Sequence, residues 1–280
     1  MLALSEPNWS TAQALEACVS RIQNLNLKQR LESIEPHLTV SEAEFRLFAA
    51  NKTLNSLIPH TNIAGFVSSD EMVATYDQRM ARSTSAGRAI YDQIMLRAPD
   101  GRCPLCAHRV VSSLDHTVGK AEFPSLALTP INLVPACIDC NKIKGAFHPS
   151  SSTNHLFNPY FDDVSQFRWL FVEVLETAPA GFRFYADCDA IPGPLKPIVS
   201  WHFEKLNLAQ LYSAQAANQL SVCRQFIEMT LAADGSEAVA SEMSRLANSA
   251  AAHDINCWQR AFYEACASSD WFTLGGFLAR

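Results

Sequence analysis

Four cysteines in two tight pairs set the chemistry open to this chain: Cys103-Pro-Leu-Cys106 and Cys137-Ile-Asp-Cys140, with thirty residues between the pairs. Each Cys-x-x-Cys turn offers two thiolates, and four thiolates are the donor set of a closed, tetrahedral zinc site. A structural zinc on Cys103, Cys106, Cys137 and Cys140 is therefore expected. A redox pair would call for a surrounding βαβ pattern, which the sequence lacks. Between the pairs lie Asp115 and His116, and Asn141 follows the last cysteine directly. A carboxylate and an amide oxygen suit a hard divalent cation, while a neutral imidazole accepts a proton from water near neutral pH. Together these residues point to metal-assisted hydrolysis of a phosphodiester. On an extended strand Asp115 and His116 would face opposite sides unless the chain bends.

The elements that must hold these groups read as strand, strand, helix. Arg109 to Leu114 is expected as a short strand, the chain up to Leu133 as its return, and Ile138 onward as a helix ended by Gly145 and Pro149. Ahead of this core, Asn8 to His60 has helical spacing, and Ser41-Glu42-Ala43-Glu44 reads as a capping box that starts a helix. Two further helices are expected over Asp70 to Arg82 and Ala86 to Arg97. After the core, Trp169 to Glu176 and Gly181 to Cys188 alternate as a hairpin, and helices follow over Trp201 to Ala233, Ser236 to Ala251 and Asp254 to Cys266. The expected class is α+β and mostly helical. Its parts are an N-terminal helical region over 1–98, a zinc-stapled core over 99–165, and a hairpin with a helical region over 166–280.

At 280 residues and 48% hydrophobic the chain can bury a substantial core, which argues against disorder. Met1 to Asn8 lacks the build of a signal peptide and no long uncharged apolar run follows, so a cytoplasmic protein with no membrane partner is expected. The remaining Cys18, Cys188, Cys223, Cys257 and Cys266 are scattered singly, which opposes a disulfide framework. The net charge is −6, yet Arg79 to Lys144 carries nine basic residues against five acidic ones. That basic island fits local phosphate binding by Arg109, Lys142 and Lys144, with solvated surface charge as the plain alternative.

Asp115-His116, Asn132 within Ile131-Asn132-Leu133-Val134-Pro135, and Cys137-x-x-Cys140-Asn141-x-x-Lys144-Gly145 together resemble the HNH endonucleases of ββα-metal fold. The resemblance is to the zinc-knuckle branch that includes phage junction-resolving enzymes, and its motifs cover about a sixth of the chain. It implies that His116 is the general base, that Asp115 and Asn141 hold one Mg²⁺ or Mn²⁺, and that Asn132 holds the hairpin and orients His116. Asn141 stands where the family name expects histidine, a change of ligand type. DNA is implied as substrate ahead of RNA. His108, His148 and His155 are weighed as further metal ligands or supporting groups, against a structural role for each. The flanking segments Arg88 to Met95 and Pro159 to Asp162 resemble prokaryotic HNH proteins, some encoded near anti-phage systems, although their aromatic residues would equally pack the core. A nuclease held silent by a regulatory partner or by its own helical lobes is one expectation, and a homo-oligomer formed through those lobes is another. A non-catalytic zinc-stapled module that binds nucleic acid or a protein partner is the alternative.

Overall fold

The computed structural model describes residues 1–279, which form an α+β, mostly helical chain in two compact units, 1–163 and the described residues from 164 onward. In the first unit, α1 (Thr11–Val19), α2 (Leu25–Ser33) and α3 (Glu35–Ala50) precede a minimal pair of strands, β1 (Asn62–Ile63) and β2 (Val67–Ser68). Then come α4 (Ser69–Thr75), which runs on into a π turn over Tyr76–Ala81, and α5 (Arg88–Met95). The hairpin β3 (Ser113–His116) and β4 (Leu133–Ala136) and the helix α6 (Ile138–Lys144) complete the core.

Local side chains explain where these helices begin. Ser10 accepts from the Gln13 backbone N–H while the Gln13 side chain returns to the Ser10 N–H, and Ser68 and Glu71 repeat this reciprocal cap at α4. The box expected at Ser41 is not a helix start. Ser41 lies inside α3, which begins six residues earlier with Pro36 in its first turn, where a missing N–H costs nothing. Glu42 instead accepts the Thr11 N–H at 2.9 Å and pairs with Arg46 at 3.1 Å, joining α3 to the start of α1.

The N-terminal helices do not form a region of their own ending at residue 98. Leu15 and Cys18 of α1, Leu38 of α3, Ile90 and Ile94 of α5, and Leu114 and Leu133 of the hairpin belong to one buried cluster. A two-stranded sheet is marginal alone and needs such a covering to persist. The expected strand at Arg109 to Leu114 also shifts. Arg109 is drawn into the first knuckle, where its carbonyl accepts the Cys103 N–H at 2.8 Å, so regular pairing starts only at Ser113. Asp115 and His116 therefore sit within β3 itself, opposite Val134 and Leu133.

In the second unit, β5 (Leu170–Leu175) and β6 (Gly181–Ala186) pair antiparallel from Leu170 with Ala186 to Leu175 with Gly181, as the alternation predicts. They are followed by α7 (Leu195–Lys205), α8 (Leu208–Ala251), α9 (Trp258–Ser268) and the single turn α10 (Asp270–Thr273). α8 is interrupted at Gly235, whose φ of 83° and ψ of −176° only glycine adopts readily. The interruption lies where the sequence places the gap between Ala233 and Ser236. Among the described residues no helix is long and apolar enough to cross a membrane.

Candidate metal and catalytic centre

The two knuckles meet face to face. The sulfurs of Cys103, Cys106, Cys137 and Cys140 all lie within 4.8 Å of one another and all four residues are buried. Four thiolates at Zn–S distances of about 2.3 Å from one ion would stand roughly 3.8 Å apart, so this buried set fits a structural zinc. Backbone N–H groups support the sulfurs: that of Arg109 donates to Cys106 Sγ and that of Cys140 to Cys137 Sγ, each at 3.4 Å. Cys137 is at once a knuckle residue and the N-cap of α6. Across the knuckles the Arg109 guanidinium pairs with Asp139 at 2.8 Å. Arg109, expected to meet phosphate, thus has a local carboxylate partner.

A cleft of about 290 Å³ opens between the hairpin, the start of its long connection and α6. Asp115, His116, Asn141 and Lys144 line it together with Tyr76 and Lys120. Asn141 is delivered by the first turn after Cys140, and its Nδ2 donates to Ser113 Oγ at 3.0 Å. That bond leaves the amide oxygen as the atom for a ligand. Asn141 and Asp115 thus bring oxygen donors into one cleft, a set that fits a hard divalent cation.

The His116 ring is buried, lies edge-on to Tyr76 at 4.5 Å between centroids, and has Nε2 2.9 Å from the Ala127 carbonyl. A carbonyl only accepts, so the ring proton belongs on Nε2 and the lone pair on Nδ1. Burial, with smaller effects from Lys120 and Lys144 against the pull of the Ala127 carbonyl, pushes the imidazole down to about 3. It is neutral at physiological pH. Asp115 is pushed up to about 6, chiefly by burial, with Lys144 and the His116 N–H opposing. It is ionised at neutral pH.

Asn132 does not touch the cleft. Fully buried, its Nδ2 donates to the carbonyls of Val118 and Leu126 at 3.1 and 3.0 Å, while its Oδ1 accepts the Val118 N–H at 2.9 Å. One side chain thereby pins both ends of the connection that carries Ala127, the partner of His116.

Lys144 departs from expectation. Instead of facing flanking phosphates it is buried, with Nζ donating to Asp115 Oδ1 at 3.2 Å and to the His116 carbonyl at 2.5 Å. Lys142, on the same helix, is exposed. Two cleft residues escaped the sequence reading. Lys120 lies 4.5 Å over the Tyr76 ring and pairs with Asp77, while Tyr76 itself sits at the start of the π turn. The only sequence signal was a basic residue close after His116. His148 packs on Phe123 at 4.8 Å, and His155 Nε2 lies 3.1 Å from Asn55 Oδ1. Neither lines the cleft, and His108 is not one of the four sulfur cluster's members.

Along almost its whole length the chain is similar to "Protein ea31" of Escherichia phage lambda. The two are 24% identical over 296 residues, covering 98% of this chain and 100% of that protein. No family profile matches the chain, and no solved structure does.

Proposed function

We propose that this protein is a metal-dependent endonuclease that hydrolyses phosphodiester bonds of DNA, stapled by a structural zinc on its four paired cysteines. The observation that carries the reading is the cleft in which Asp115, Asn141 and a neutral His116 with a free Nδ1 converge beside the sulfur cluster. The resemblance of these residues to the HNH motif supports it.

Asp115 and Asn141 would hold a Mg²⁺ or Mn²⁺ ion through their oxygens. Bound there, such an ion supplies charge stabilisation to the phosphoryl group and to the departing oxygen. His116 takes the proton of the attacking water on Nδ1, and the Ala127 carbonyl, already on Nε2, stabilises the imidazolium that results. An incoming phosphate anion beside the ring favours its protonated form and so raises its basicity from the buried, substrate-free value. Asn132 orients His116 through the connection rather than touching substrate. Exposed Lys142 is a cation available to neighbouring phosphates, while Lys120 at the cleft edge is already paired with Asp77.

The test is cleavage of plasmid, single-stranded DNA and RNA with titrated Mg²⁺ or Mn²⁺, comparing wild type with His116→Ala. The variant should lose at least about a hundredfold in rate, in keeping with removal of a general base, while its zinc content and folded circular-dichroism spectrum hold. Equal rates would sink the mechanism. DNA binding with no turnover under any divalent metal would favour the zinc-stapled binding module. The phage origin of the similar protein supports a setting in which phage and host genomes meet, and activity gained only with a co-purifying partner would mark a regulated effector in antiviral defence.

A further inference from the structure

The buried ammonium of Lys144 bears on how the cleft takes up metal. Asp115 is nearly inaccessible to solvent at 6% relative exposure, as is Lys144 at 6%, so their pairing is not a casual surface contact. A carboxylate removed from water requires a countercharge, and this chain supplies one from its own next helix. Yet the same carboxylate, with Asn141 in the same cleft, offers the oxygen donors for a divalent ion. Two cations held close to one carboxylate in a partly dry site repel strongly.

We propose that Lys144 is an intramolecular competitor for the metal: Asp115 exchanges the ammonium for a divalent ion, and the C-terminal end of α6 is the part that gives way. The ammonium keeps the buried carboxylate satisfied without metal and sets a threshold that a divalent ion must exceed. Two features favour the exchange. Lys144 is the last residue of α6, so releasing it breaks no later turn of that helix. The next residue is Gly145, at φ 55° and ψ −140°, and a residue without a Cβ has the widest choice of backbone conformations at the point where the helix end would shift. The inference rests on the metal-site reading above, and the experiment separates the two.

Mn²⁺ binding to the zinc-loaded, DNA-free protein is measured in mildly alkaline buffer by the electron paramagnetic resonance signal of the free ion. Wild type, Lys144→Met, Lys144→Arg and Asp115→Asn are compared. Lys144→Met should bind Mn²⁺ about tenfold more tightly than wild type, and Lys144→Arg, which keeps the charge, no more tightly than wild type. Asp115→Asn should lose the site. If Asp115→Asn binds as well as wild type, the metal-site reading itself falls. If Asp115→Asn loses binding while Lys144→Met binds no more tightly than wild type, the exchange alone is overturned. Should Lys144→Met fail to fold, the wild type decides by amine acylation and mass mapping. The Lys144 peptide should gain label when Mn²⁺ is added, at a step absent from Asp115→Asn, and unchanged labelling overturns the proposal.

Discussion

Asn132 shows how one uncharged residue can govern a site it never touches. Its amide satisfies the Val118 N–H and the Val118 and Leu126 carbonyls in a place no water reaches, and Leu126 adjoins Ala127, the residue whose carbonyl fixes the His116 tautomer. Asn132→Ala would leave the buried Val118 N–H and carbonyl unpaired and the Leu126 carbonyl with only the Thr129 N–H at 3.3 Å. It should cost about 3 kcal/mol of stability, read as a lower urea midpoint, and should slow DNA cleavage further than the unfolded fraction explains. A cleavage rate that falls only with the folded fraction would confine Asn132 to the scaffold. At this scale much was legible in the sequence, because side-chain chemistry travels with residue type: a carboxylate, an imidazole and an amide at those positions are the groups the cleft contains. The fate of a long flexible cation was not legible. Nothing in Cys140-Asn141-Lys142-Ile143-Lys144 says that Lys142 stays in water while Lys144 turns inward, since that depends on a partner, Asp115, brought in by another element.

At the scale of elements, the second knuckle and α6 are one construction. Cys137 contributes a sulfur to the cluster and caps the helix whose first turns carry Cys140 and Asn141, so the clamp and the proposed metal ligand share a backbone. Binding of a structural zinc by such peptides is worth on the order of 10 kcal/mol and is coupled to folding. Stripping the metal with a strong chelator should therefore lower the melting temperature and abolish cleavage together. Zinc should restore both, and magnesium added alone should restore neither, with atomic absorption following the metal content. The hairpin β5 and β6 and the break in α8 were readable because alternation, Gly181 and Gly235 are local signals. The π turn at Tyr76 and the late start of β3 were not. Both answer to tertiary partners, the His116 ring in one case and the Cys103 N–H in the other.

For the whole molecule, the basic island from Arg79 to Lys144 was visible in the sequence, but its free charge was not. Arg88, Arg109, Lys120 and Lys144 are each paired, with Asp92, Asp139, Asp77 and Asp115 respectively. Much of the excess is thus used inside the fold, and nucleic-acid affinity should depend on fewer cations than the composition suggests. Another charge relation sets tolerance to acid. His155 is buried and pushed down to about 4, first by burial and then by the nearby positive charge of His148 and Lys52. A group whose folded value lies below its unfolded one supports the fold above about 6.5, and that support is lost as pH falls towards 4. Between pH 7 and pH 5 this residue should cost the first unit about 1–2 kcal/mol beside the like-signed loss from His116, and His155→Asn should reduce the loss by about that amount, as read from urea midpoints at the two pH values.

The hairpin under the candidate centre has only two strands, so both of its flanks lie open to pairing by a foreign strand. Two phenols occupy them. Tyr91 of α5 accepts the Leu114 N–H at 3.1 Å on one flank, and the Tyr160 hydroxyl donates to the Leu133 carbonyl at 2.7 Å on the other. Both tyrosines fall in the segments, Arg88 to Met95 and Pro159 to Asp162, which the sequence offers as a faint family resemblance or as packing, with no sign of this edge role. By taking up one outward backbone group on each flank, they leave a foreign strand fewer partners on either edge of a minimal sheet.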